Sequence, residues 1–107
     1  MNTITTIPKE DPYIIDIILR ENPNWSLSLG GGLYNGYITL PEGHPWFEVD
    51  LPDEAHDIHG RITYSEKEGD EWVIGFDTAH AGDTPEKWPI AKVAEEAERL
   101  RDIAMKA

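Results

Sequence analysis

Two short stretches of the sequence carry side chains that could bind a ligand or transfer a proton. His59 and Arg61 belong to the first stretch, and Asp77, His80 and Asp83 belong to the second. Neutral imidazoles and carboxylates are ligands for Mn²⁺, Fe²⁺ or Zn²⁺, as a metal-dependent phosphoesterase would require. A His–Asp pair could instead orient a general base, and arginine with histidine could hold the phosphate of a nucleotide. The spacing favours none of these three chemistries.

Two further candidates stand in the segment Gly43-His44-Pro45-Trp46-Phe47. His44 could join the set from a separate loop, and Trp46 could provide a surface for base stacking. A structural interpretation stands beside these functional ones. In it, Asp77 and Asp83 cap turns and the histidines bond to backbone carbonyls. The sequence therefore predicts a polar cluster but leaves its metal, cofactor and ligand undetermined.

A β-hairpin is expected to position this cluster, with strands over residues 59–65 and 71–77. The simplest register sets Ser65 opposite Glu71. Counting back from that pair gives the outward-facing partners, which are His59 with Asp77 and Arg61 with Gly75. The apolar side chains of both strands would then share the core side: Ile62, Tyr64, Trp72, Ile74 and Phe76.

The N-terminal half of the chain predicts a helix and two strands. Asp11-Pro12 is typical of a helix N-terminus, and the helix would carry Ile14, Ile15, Ile18 and Leu19 before ending at Pro23; a strand is the competing interpretation because isoleucine is β-branched. Alternation over residues 25–29 favours a strand. Asn35-Gly36 is a favoured hairpin-turn dipeptide, and a second strand would follow over residues 37–40.

The C-terminal segment predicts an amphipathic helix. Thr84-Pro85-Glu86 offers a cap and a proline start, with a break at Pro89. An apolar stripe follows at spacings of three and four: Ile90, Val93, Ala97, Leu100 and Ala104. We therefore expect a single α+β domain over residues 1–107. Its mostly antiparallel sheet would have about four strands, with one or two helices packed on it.

Charge and cysteine content exclude several classes of function. The chain has 21 acidic against 9 basic residues, a net charge of −12, which repels nucleic acid and anionic membranes and suits a basic protein surface, a cation or high solubility. Without cysteine it forms no disulfide, thiolate zinc site or cysteine nucleophile. The first ten residues lack the features of a secretory signal, so we expect a cytoplasmic protein.

Three blocks of this sequence resemble a family of small uncharacterised proteins encoded by bacteriophages and prophages. They are residues 36–46 (GYITLPEGHPW), residues 59–64 (HGRITY) and residues 72–83 (WVIGFDTAHAGD). The family pattern has a second glycine after the histidine, where this chain has Arg61. If that glycine keeps space open for a ligand, Arg61 either fills the space or supplies a contact.

The resemblance implies a phage accessory protein made in the cytoplasm of an infected bacterium. Such proteins often inhibit host antiviral defence, so we expect binding and sequestration of a nucleotide messenger or a host defence protein. The ligand-binding residues would be His59, Arg61, Asp77, His80 and Asp83, with His44 and Trp46 outside them. Direct contact with nucleic acid or membrane is not expected, and a homo-oligomer is compatible with the sequence.

Three alternatives stay open at this point. An acidic DNA mimic, similar in action to an anti-CRISPR protein, would use the carboxylates of residues 48–57 and 66–71 to imitate phosphates. A metal-dependent phosphoesterase would use the His/Asp cluster. A structural or adaptor protein would have no small-molecule site at all.

Overall fold

A computed structural model of the chain describes residues 2–7, 13–19, 34–49, 52–59, 61–78, 83–84 and 86–107. The elements are β1 (Asn2–Ile7), β2 (Ile15–Leu19), β3 (Tyr34–Leu40), β4 (Tyr64–Glu68), β5 (Glu71–Phe76) and one helix, α1 (Ile90–Lys106). A short 3₁₀ turn covers Asp53–Ala55. The expected strand at residues 25–29 lies outside the described residues.

The strands form one antiparallel sheet in the order β1-β2-β3-β5-β4, and α1 packs on β3 and β2. The expected α+β class is confirmed, with five strands in the described part of the chain instead of about four. Alternate side chains of the sheet face the helix, among them Ile17, Ile38, Ile74 and Phe76, all essentially buried. The described part of the chain contains no helix long and apolar enough to span a bilayer.

The helix expected near Asp11–Pro23 is wrong, because Ile15–Leu19 forms strand β2, which lies between β1 and β3 in the sheet. Ile15 and Ile17 are fully buried on the helix side, and Asp16 between them faces the other way. Period-two burial of β-branched side chains favours a strand over the helical spacing of Ile14, Ile15 and Ile18. The competing interpretation of this segment was therefore the right one.

Asn35-Gly36 does not form a hairpin turn, because both residues lie inside β3. A Cβ atom on Gly36 would come within 2.8 Å of the Phe76 ring and 3.4 Å of the Ala97 side chain. Gly36 therefore lets the sheet and the helix approach closely, which is the other common reason for a glycine in a strand.

The hairpin of β4 and β5 has a different register from the expected one. Tyr64 lies opposite Gly75, and Glu68 lies opposite Glu71, so the turn is only Gly69-Asp70, with a φ of 65° at Gly69. The observed register differs from the expected one by an odd number of residues. The Tyr64 side chain therefore lies on the other face of the sheet from Trp72, and not on the same face as expected. Residues 59 and 61–63, which were expected in the strand, lie outside it.

The C-terminal helix is confirmed, and it begins at Ile90 after Pro89. Its predicted stripe faces the sheet, where Val93, Ala97, Leu100 and Ala104 are fully buried. Loop residues complete the core beside the helix: Trp46, Ala55, Ile58, Ile62 and Trp88. One of these loops brings the His59 backbone against Glu96 of the helix.

Candidate functional site

The structure brings together two of the predicted site residues, His59 and Asp83. The imidazole Nε2 of His59 lies 2.9 Å and 3.0 Å from the two carboxylate oxygens of Asp83. A carboxylate accepts hydrogen bonds, so Nε2 carries the proton and donates. The Asp83 side chain is 6% exposed and the His59 side chain 25% exposed. The buried carboxylate thus orients an imidazole at the edge of the surface.

Trp88, which the sequence did not single out for this site, covers the His59 ring. The two ring centroids are 4.0 Å apart at an interplanar angle of 37°. The Nζ atom of Lys92 lies 4.7 Å from the centroid of the same indole, within the range of a cation–π contact. Trp88 is 8% exposed, so the indole offers no open face for a nucleotide base.

Glu96 of α1 holds the loop that carries His59. One carboxylate oxygen accepts the His59 backbone N–H at 2.8 Å, and both oxygens accept N–H groups of Arg99 at 2.9 Å. Arg99 also donates to the carboxylate and the carbonyl of Asp57. Burial raises the pKa of Glu96, but the bonds from Arg99 and His59 outweigh it, so the pKa lies below its ordinary value. We call His59, Asp83, Trp88, Glu96 and Arg99 the histidine cluster.

The electrostatics of the histidine cluster do not favour a phosphate. Asp83 and Glu96 place two carboxylates against the ring and the backbone of His59, and both would repel an anionic ligand. Arg99 already bonds with two acidic residues. The described geometry therefore fits a joint between a loop and a helix better than an anion-binding pocket.

Arg61 is not opposite Gly75, since Tyr64 occupies that register position. Arg61 instead lies in the loop, where its backbone N–H donates to the Ile58 carbonyl at 2.7 Å. Its φ is 66°, in the left-handed region that favours glycine, and its side chain is exposed. The backbone at residue 61 would thus suit a glycine for reasons of turn geometry alone.

Asp77 follows β5 directly and is not opposite His59, which the loop places beside Asp83 instead. Its neighbour Thr78 is buried, and the Thr78 hydroxyl donates to the Tyr34 carbonyl at 2.7 Å. His80 lies outside the described residues. Among the described residues, no three His, Asp or Glu side chains are grouped closely enough to hold a metal ion.

His44 and Trp46 do not join the histidine cluster. The Nδ1 atom of His44 accepts the Trp46 backbone N–H at 2.9 Å, so the proton is on Nε2, which donates to the Ala104 carbonyl at 2.7 Å. Both ring nitrogens therefore bond to backbone. Trp46 is 2% exposed and its rings belong to the core, so this structure presents no open indole face for stacking there.

A second region has the opposite character, and we call it the acidic face: Tyr37, Tyr64, Glu66, Glu68 and Glu71. It lies on the side of the sheet away from the helix. The Tyr64 hydroxyl donates to Glu68 at 2.8 Å and to Glu66 at 3.4 Å. Partial burial, and then the hydrogen bond to Glu68 and its charge, raise the pKa of Tyr64 above its ordinary value.

Aromatic contact and like charges define this acidic face. The Tyr37 and Tyr64 rings meet edge to face, with centroids 5.2 Å apart. Gly75 makes room for them, since a Cβ there would clash with the Tyr37 ring. Glu68 and Glu71 stand directly opposite each other and are both exposed. Sequence reasoning named the carboxylates of residues 66–71 for a DNA mimic, but it assigned Tyr64 to the core. The period-two spacing of Tyr64, Glu66 and Glu68 was the available signal that they share a face.

Comparisons of the chain with models of protein families, with curated proteins and with solved structures gave no match.

Proposed function

We propose that the chain acts by binding, without turnover, to a positively charged surface of a partner protein. The observation that carries this proposal is the acidic face, where three exposed glutamates are arranged on one side of a hairpin. Neither Glu66 nor Glu68 forms an ion pair in the part of the chain that is described; their hydrogen-bond donor is the Tyr64 phenol. A net charge of −12 supports the same conclusion at the level of the whole chain.

Uncompensated carboxylates make physical sense as a binding surface. Like charges directly opposite on neighbouring strands destabilise a sheet, and Glu68 and Glu71 form such a pair. A basic partner removes that repulsion on binding, so part of the attraction comes from relief of strain already in the free protein. The same arrangement repels DNA and RNA, which restricts the partner to a cationic one.

The proposal includes the context suggested by the sequence resemblance. A phage-type accessory protein in the cytoplasm of an infected bacterium would act as an inhibitor of host antiviral defence. A host defence protein that binds nucleic acid has a basic groove, and the exposed carboxylates would occupy that groove as an acidic DNA mimic. The protein would then compete with nucleic acid for the groove.

Sequestration of a nucleotide messenger is less well supported. It would use His59, Arg61, Asp77, His80 and Asp83, but Asp83 and Glu96 place two carboxylates against His59, and both would repel an anionic messenger. The phosphoesterase alternative has the same difficulty, together with the lack of a metal-ligand group among the described residues. Both alternatives rest on His80.

The test is binding to a purified nucleic-acid-guided nuclease and to other basic DNA-binding proteins, measured by displacement of labelled duplex DNA. We expect displacement that weakens by roughly tenfold or more between low and physiological salt, because the contact is between exposed charges. His80→Ala serves as the matched control and should leave displacement unchanged. If no basic protein binds, or if native mass spectrometry finds a nucleotide that is lost in His80→Ala, the proposal is wrong.

A further inference from the structure

Arg101 of α1 is a buried cation for which the fold supplies no acceptor. The residue is 5% exposed. Two of its guanidinium nitrogens, Nε and Nη1, are inaccessible to solvent and have no hydrogen-bond partner. Within the described residues, the ion pairs of α1 are formed by Arg99 and not by Arg101. The two arginines of the same helix therefore differ: one is exposed and paired, and the other is buried and unpaired.

An unpaired guanidinium in this position opposes folding. Arginine stays protonated at physiological pH, so it cannot avoid the cost of burial by losing its proton, as a buried lysine or histidine can. The lost hydration is compensated only when an acceptor of good geometry takes the place of the water. A carboxylate does this well, because its two oxygens accept two parallel N–H groups of one guanidinium. The free protein thus contains a buried donor that an anion from outside would satisfy.

The helix neighbours of Arg101 restrict that anion to one with a single charge and an apolar part. Ala97 and Ala104, one turn before and one turn after it, are fully buried. One cation among apolar side chains forms a neutral pair with a monoanion, whereas a dianion such as phosphate would leave one charge uncompensated. Met105, four residues after Arg101 and on the same side of the helix, is 46% exposed and is the exposed large hydrophobic side chain of the described residues.

We propose that Arg101 anchors a binding site for an aliphatic monocarboxylate, whose carboxylate bonds with the guanidinium and whose tail lies against Met105. The site is separate from the acidic face and does not depend on the proposed function. The net charge of −12 repels an anion at a distance, but at physiological ionic strength that repulsion is screened beyond about 8 Å. At the site itself, the hydrogen bonds to Arg101 dominate.

The first test is the stability of the free protein. Arg101→Met replaces the guanidinium with an unbranched apolar side chain, so we expect the midpoint of thermal unfolding to rise by roughly 5 °C or more. Lys106→Met removes an exposed cation from the same helix and is the matched control, which should change the midpoint far less. A midpoint that falls in Arg101→Met would mean that the guanidinium already stabilises the free protein, and it would overturn the inference.

The second test is binding of hexanoate to the full chain, followed by NMR through the Nε–H signal of Arg101 and the methyl signal of Met105. We expect hexanoate to shift both signals to saturation. Hexanamide, which has the same tail without the charge, and inorganic phosphate should each bind at least roughly tenfold more weakly. The Met105 signal should show the same loss of hexanoate affinity in Arg101→Met, and no loss in Lys106→Met.

Three results would contradict the site. Hexanoate that shifts neither signal, or that binds Arg101→Met as tightly as the unaltered protein, would show that Arg101 does not anchor a carboxylate. Hexanamide that binds as tightly as hexanoate would reduce the site to an apolar contact at Met105. Phosphate that binds more tightly than hexanoate would reject the preference for a monocarboxylate. None of these results bears on the acidic face, so the proposed function is tested separately.

Discussion

The histidine cluster and the acidic face contain similar numbers of charged groups but use them in opposite ways. In the histidine cluster, the carboxylates of Asp83 and Glu96 are shielded from solvent and each accepts hydrogen bonds from a defined donor. On the acidic face, Glu66 and Glu68 are exposed and receive a single phenolic hydroxyl between them. Titratable side chains that lie close together therefore stabilise the fold in the histidine cluster, whereas on the acidic face their carboxylates stay accessible to a partner.

The largest expected effect separates the two regions by stability. Asp83→Ala removes a buried carboxylate, which accepts the hydrogen bond from Nε2–H of the His59 ring. We therefore expect a loss of about 2 kcal/mol in the free energy of unfolding. Urea denaturation at pH 7 measures it. Asp102→Ala, at an exposed position of α1, is the control and should change stability by less than about 0.5 kcal/mol.

The same variant tests whether the histidine cluster is structural. Binding of basic proteins by the folded fraction of Asp83→Ala should match the unaltered protein. A stable Asp83→Ala protein that has lost partner binding would reverse our assignment of roles to the two regions.

A smaller effect concerns pH and Glu96. Its folded-state pKa is lowered, so its contribution is fully present above the ordinary carboxyl pKa and is lost as pH falls through the folded-state value. Glu96→Gln should cost about 1 kcal/mol at neutral pH, because the charge-assisted bonds from Arg99 weaken. Denaturation repeated at falling pH should show the difference between the two proteins shrinking. A difference that stays constant down to strongly acidic pH would contradict this account.

Several parts of the fold could be predicted from the sequence. The apolar side chains from Ile90 to Ala104 recur only at the spacing of a helix, so α1 was predicted correctly. The isoleucines around Asp16 fit two periods, and only the neighbouring strands decide between them. The register of the β4–β5 hairpin depends on whether its turn has two residues or more. The expected register was wrong by an odd number of residues, which placed the Tyr64 side chain on the wrong face of the sheet.

The candidate site was predictable only in part, because its side chains meet across loops. His59 and Asp83 were expected in one cluster, and they do meet, but through a loop and not through pairing with Asp77. Trp88 and Glu96 could not be assigned to His59 from spacing, because tertiary packing alone brings α1 and its preceding turn to that loop. Side chains that meet across loops leave no periodic signal in the sequence.

The smallest expected effect is on the stability of the acidic face. Glu68→Gln removes one member of the like-charge pair with Glu71, so we expect the protein to gain about 0.5 kcal/mol of stability at low salt. The gain should disappear at high salt because both side chains are exposed. Thermal unfolding at the two salt concentrations measures it. A loss of stability would mean that the Tyr64–Glu68 hydrogen bond outweighs the repulsion.

The bond between His44 and Ala104 also has a consequence for the order in which the chain assembles. It joins residues 60 positions apart, and the same imidazole holds the Trp46 amide. Contacts of such long sequence separation carry a large loop-closure entropy and form after the local ones. We therefore expect the bond from His44 to form late, after the last turn of the helix has docked, and to keep that turn from fraying.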